Sequence, residues 1–152
     1  MGASEWYHQK MAIVGTIDPT SSTTAGTFWT DAVDCDVFEK VIFIVQTNTV
    51  SANTTATLTV YSDGASATGG MTNAIATSTA LGNANDDSQI WVEVDTEDFN
   101  VDGRDRYCRG KLVVAGTGGT IDHLSAIVLG ANTRYHPASN YDLATVAQVT
   151  NS

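Results

Sequence analysis

Apolar side chains recur along this chain in short runs and in simple alternation, with Gly, Ser, Thr, Asn and Asp between them. The strongest run, Val41-Ile42-Phe43-Ile44-Val45, is continuously apolar, the pattern of a strand covered on both faces. From Thr55 to Tyr61, Leu58 and Val60 alternate with Thr57, Thr59 and Tyr61, which predicts a strand; the gap from Thr47 to Asn53 has the size of a hairpin connection. Ile90, Val92 and Val94 alternate with Trp91 and Glu93 in a half-buried pattern. Lys10 to Ile17, Gly26 to Ala32, Tyr107 to Ala115 and Leu124 to Leu129 read as further strands, and Ile75 to Leu81 as a weak one. Asp18 to Thr24 is a polar connector opened by Asp-Pro, Ser62 to Met71 is rich in turn residues, and Gly82 to Asp87 is a loop. No useful window keeps the ~3.6-residue apolar period of a helix. Roughly seven to nine strands separated by turn signals predict an all-β, antiparallel β-sandwich, with the jelly roll as the expected form.

Composition sharpens this picture. Ser and Thr make up roughly a fifth of the chain, while Lys and Glu, staples of helix surfaces, are scarce. At 152 residues the chain is expected to be one domain, able to bury roughly two thirds of its unfolded surface without disulfides or metals. The net charge of −10 repels phosphate backbones and anionic membrane surfaces, so neither nucleic acid nor membrane is an expected partner. No apolar run approaches transmembrane length. The first six residues lack a signal peptide's cationic start and apolar core, and Trp6 stands where a myristoylation signal at Gly2 wants Ser or Thr. Synthesis in a cytoplasm is expected, with Cys35 and Cys108 as reduced, buried small hydrophobes.

Candidate chemistry is sparse. Asp98, Asn100 and Asp102, followed by Gly103, form the first half of a calcium loop, but its twelfth position is Arg109, where a bidentate carboxylate is needed. A tight acidic turn is the expected reading. His8, His123 and His136 are far apart and have no ligand spacing. Asp122, His123 and Ser125 contain the residue types of a triad, but positions 123 and 125 share one face of a strand while 122 points away. Gly116-Thr117-Gly118-Gly119-Thr120 leads into a strand rather than a helix and lacks the P-loop lysine, so it reads as a hairpin turn needing positive φ. No catalytic residue, cofactor or metal is assigned, and the chain is not expected to be an enzyme.

The one concentration of positive charge is Arg104 to Lys111. Alternation places Arg109 and Lys111 on the face of Tyr107, either as a solvated sheet face or as a contact with another subunit. Trp6, Tyr7, Trp29 and Tyr135 are further interface candidates.

Several stretches occur in the order found in a family of small head-associated structural proteins of tailed bacteriophages, encoded near the major capsid protein. Ala12 to Pro19 resembles that family's opening strand and turn. Trp29-Thr30-Asp31 through Phe38 to Gln46 is similar to its central pattern. Glu97-Asp98-Phe99 followed by Arg106-Tyr107 resembles its acidic turn and following strand, and Val128-Leu129-Gly130 followed by Arg134 to Ala138 is similar to its close. The resemblance covers most of residues 10 to 149; Cys108 and the segment from Ser62 to Asn85 depart from the pattern.

The resemblance implies a virion part of the cement or decoration type. Such a protein would be made in the host bacterial cytoplasm and located on the capsid surface. It would bind the major capsid protein of the assembled head and bridge neighbouring capsomers, as a homotrimer. An N-terminal arm (about 1–24) and a C-terminal arm (132–152) would extend the contacts, with Arg104, Arg106, Arg109, Arg134, Tyr135, Trp6 and Tyr7 at the interface. The rival readings are another virion component (tail or head–tail connector) and a carbohydrate-binding jelly-roll module with exposed Trp and Tyr on sugars.

Overall fold

The computed structural model describes residues 10–64, 71–97 and 105–134. They form eleven strands: β1 (Met11–Ile17), β2 (Ser22–Thr23), β3 (Gly26–Trp29), β4 (Val33–Asp34), β5 (Phe38–Gln46), β6 (Thr54–Asp63), β7 (Asn73–Thr77), β8 (Gln89–Asp95), β9 (Tyr107–Gly116), β10 (Ile121–Asp122) and β11 (Ser125–Thr133). Eight are of four residues or more; β2, β4 and β10 are two-residue pieces. The long strands make two sheets, in the orders β1-β11-β5-β8 and β3-β9-β6-β7, and every pairing is antiparallel.

This order identifies the topology. Counted along the chain, the first long strand pairs with the last, the second with the seventh, the third with the sixth and the fourth with the fifth. That is a long antiparallel ribbon rolled around a core, the jelly roll. Because the roll places most chain-adjacent strands in opposite sheets, β6–β7 is the one hairpin between successive long strands.

The core is the product of period-two alternation. In β9, Cys108, Gly110, Leu112 and Val114 are buried while Tyr107, Arg109, Lys111 and Val113 are half-buried on the other side. In β6, Ala56, Leu58 and Val60 point inward. They meet Val41, Phe43 and Val45 of β5 and Ala126 and Val128 of β11, all in one buried cluster.

Three expectations change. The connection from Thr47 to Asn53 does not close a hairpin: β5 and β6 belong to different sheets, and the crossing is held by Val50, buried and bridged to Ile121. Gly118 does take positive φ (76°), but β9 and β11 also lie in different sheets, so the Gly-rich stretch is a crossing too. Finally, residues 11–17 and 22–23 of the expected N-terminal arm are strands of the sandwich, β2 pairing with β10. At the other end, residues 132–133 of the expected C-terminal arm likewise belong to β11, while residues 1–9 and 135–152 lie outside the described residues.

Candidate interaction surface

The outer face of the β3-β9-β6-β7 sheet carries a cluster of cations and aromatic rings. β9 supplies Arg109 and Lys111 from its outward row, as alternation predicts. The register sets Lys111 opposite Trp29 of β3 and Thr59 of β6, and Arg109 opposite Tyr61. The Arg109 guanidinium carbon lies 4.8 Å from the Trp29 ring centre; Lys111 Nζ lies 5.5 Å from that ring and 5.9 Å from Tyr61. The two rings are 5.9 Å apart and tilted by 50°. Both cations therefore sit in attractive positions on an electron-rich surface.

The cluster is fixed from below. Buried Thr30 accepts a hydrogen bond from Gly110 N on its hydroxyl (3.0 Å) and donates its own amide to Gly110 O (2.9 Å). Its carbonyl accepts Arg109 Nε at 2.6 Å. A Cβ at Gly110 would meet Phe43 at 3.0 Å and Leu58 at 3.2 Å, so the missing side chain lets the opposite sheet come up under Arg109. Partial burial pulls the Arg109 pKa down from its ordinary value, and Asp31 opposes this. Asp31 also accepts the Thr16 amide at 3.1 Å, tying the end of β3 to the edge of β1. An open groove of about 540 Å³ runs between Thr16–Asp18 and Thr27–Trp29, with Asp31 and Arg109 in its wall.

The other predicted residues separate. Arg106 grips Asp34 with Nε (3.1 and 3.2 Å) and Nη2 (2.6 Å), lies 3.3 Å from Asp36 and sits over Tyr107. Asp34, by hydrogen bond and then by charge, raises its pKa. Arg106 is thus an intrachain clamp fastening β4 to the start of β9. Arg134 directly follows β11 of the other sheet, its amide donating to Val37 O (2.8 Å) and Nη2 to Thr96 Oγ1 (3.2 Å). The structure joins Arg109 to Trp29 and leaves Arg134 apart. Trp6, Tyr7, Arg104 and Tyr135 lie outside the described residues, as do Asp98, Asn100 and Asp102.

Cys35 and Cys108 are buried free thiols, and Cys35 Sγ donates to Val33 O at 3.7 Å. His123 takes positive φ (53°) ahead of β11, so the strand alternation expected to give it the face of Ser125 is interrupted there. Tyr61 was not among the sequence candidates, although the β6 alternation already placed it outward. Trp91, exposed at 58%, was missed for the same reason: its strand was read for its buried side.

No family model matches the chain, and no curated protein matches it. Among solved structures the chain is similar to that of the infectious bursal disease virus Gt strain, with a TM-score of 0.48 and 13% identity. It is also similar to the VP2 subviral particle of infectious bursal disease virus, with a TM-score of 0.45 and 12% identity. In both cases the match covers 85% of this chain and 33% of the other, so the chain spans about one third of those proteins' length. Likeness this loose carries no function across.

Proposed function

We propose that this chain is a virion structural protein of the cement or decoration type, which binds the assembled head and bridges neighbouring capsomers. The observation that carries this reading is the Trp29–Tyr61–Arg109–Lys111 cluster, which holds Trp, Tyr and Arg, the interface-favoured residue types, in place on a sheet face. The ordered sequence resemblance and the jelly-roll topology agree with it. Two of the chain's seven cations, Arg109 and Lys111, stand on the outward row of β9 in a chain with net charge −10, which suits this sheet to an acidic surface. A protein that binds only the assembled shell stabilises that shell by linkage. Residues 135–152 are proposed as a second contact.

The sugar-binding alternative is less well served, because Arg109 and Lys111 already occupy positions over the Trp29 ring that a sugar would stack on. The test is binding to expanded heads of the phage that encodes the chain. The double variant Arg109→Glu, Lys111→Glu should bind at least about tenfold more weakly, or ~1.4 kcal/mol. Deletion of 135–152 should also weaken binding while the fold persists. Undiminished decoration by the double variant removes this face from the shell contact. A reconstruction of the particle separates the roles: many copies over the shell mean cement, whereas a single ring at one vertex means connector. The same map reads out whether copies group in threes.

A further inference from the structure

On one side of the sandwich each sheet ends in an edge strand, β1 in one and β3 in the other. The open groove of about 540 Å³ runs between these two edges. An edge strand is normally blunted against the addition of a further strand. β1 is: its register shifts between Ile13 and Gly15, and the outward amide of Thr16 is capped by Asp31 Oδ2 at 3.1 Å. β3, which reads Gly26-Thr27-Phe28-Trp29, has no bulge, lysine or proline. The Thr30 amide donates to Gly110 O at 2.9 Å, so by alternation Phe28 and Gly26 are the residues of β3 that bond to β9. The intervening Thr27 and Trp29 turn their amides and carbonyls the other way, and both residues line the groove. Those outward backbone groups meet no partner among the described residues.

We infer that the groove takes an extended, basic segment of another protein, which pairs with the outer edge of β3 as a further strand of that sheet. Backbone geometry selects an extended chain. Thr27 and Trp29 offer two donor–acceptor sets roughly 7 Å apart, the spacing of alternate residues in a strand. A helix has its own backbone groups bonded internally and cannot use them.

Charge selects the side chains. Asp31 is engaged by the Thr16 amide and offsets Arg109 across the groove. Asp18 is exposed and has no hydrogen bond or ion pair among the described residues, which leaves it as the uncompensated charge of the groove. A lysine or arginine of the incoming strand supplies its partner, and the field of a chain with net charge −10 draws such a segment in. Ile17 and Phe28 line the same groove, so apolar side chains suit the alternate positions of the segment. The inference does not rest on the virion reading, and a strand added at the edge leaves the outer face, with Tyr61 and Lys111, to other contacts.

The probe is the acetylated, amidated peptide Lys-Val-Lys-Val-Lys-Val, titrated into the nitrogen-15-labelled full chain. The Thr27 and Trp29 amide resonances should shift and gain protection from exchange, with Kd on the order of hundreds of micromolar at low salt. Asp18→Asn should weaken binding at least about threefold, and added salt should weaken it further. Thr27→Pro, which removes one outward donor, should weaken it at least about tenfold. Two peptides N-methylated on alternate amides test the pairing without altering the protein: the one keeping its β3-facing amides should bind, and the other should not. No binding at millimolar peptide would overturn the inference, as would equal binding of the Glu-Val-Glu-Val-Glu-Val peptide. Two N-methylated peptides that both bind like the parent would show attraction by charge alone and overturn the added strand. Indifference to Asp18→Asn, or shifts that bypass Thr27 and Trp29, would remove the site from this groove.

Discussion

Cys108 has no accessible surface and shares the buried core with Cys35. Burial, and secondarily the neighbouring thiol, pushes the Cys108 pKa well above the ordinary value of 9.0. The consequence for stability follows from linkage. Above pH 9 the unfolded chain releases this proton while the folded chain keeps it, so the folded state loses ground as pH rises. The contribution is complete below that pH and declines above it, by at most about 1.4 kcal/mol per pH unit for one proton. Urea unfolding from pH 8 to about 10.5 should show a steeper loss for the native chain than for Cys108→Ala. The variant carries a roughly constant cavity penalty at every pH. Parallel slopes would show that the thiol does not titrate between the two states.

At the level of strands, β11 and β5 are held by close approach as well as by register. A Cβ built on Gly130 would come within 2.6 Å of the ring of Phe38, which is fully buried and cannot swing away into solvent. Gly130→Ala should lower the urea midpoint at unchanged slope, corresponding to about 1–3 kcal/mol of overpacking. Gly82→Ala, where the nearest atom would be 3.9 Å away, should change stability by less than about 0.5 kcal/mol. These elements were largely legible in the sequence. Alternation located β1, β6, β8, β9 and β11 because each has a mostly apolar inward side, and a continuous apolar run located β5. It was silent on β2, β4 and β10, whose two residues are shorter than any period. The outward cluster was half legible: alternation put Arg109 with Lys111, but the rings come from β3 and β6, and which strand lies beside β9 is a property of the roll. The bidentate Asp34 partner of Arg106 was hidden for the same reason, being supplied by β4 from far along the chain.

For the whole molecule, that distance between partners becomes a kinetic property. Apart from the β6–β7 hairpin, each long strand pairs with strands remote in sequence, and the roll is closed by β1 against β11, its first and last strands. Each such pairing loses loop-closure entropy before it gains burial, so the barrier is set by topology more than by stability. Refolding from urea should accordingly take milliseconds to seconds, the range of all-β sandwiches, rather than microseconds. The hairpin is the local exception. A substitution in its β6–β7 pairing, such as Ala76→Gly, should slow folding if the hairpin nucleates the roll, whereas Ala126→Gly in the closing pair should mainly speed unfolding. Stopped-flow chevrons distinguish the two limbs. If Ala126→Gly slowed folding in proportion to its whole loss of stability, the ends would already be joined in the transition state, and closure rather than the hairpin would be the nucleus.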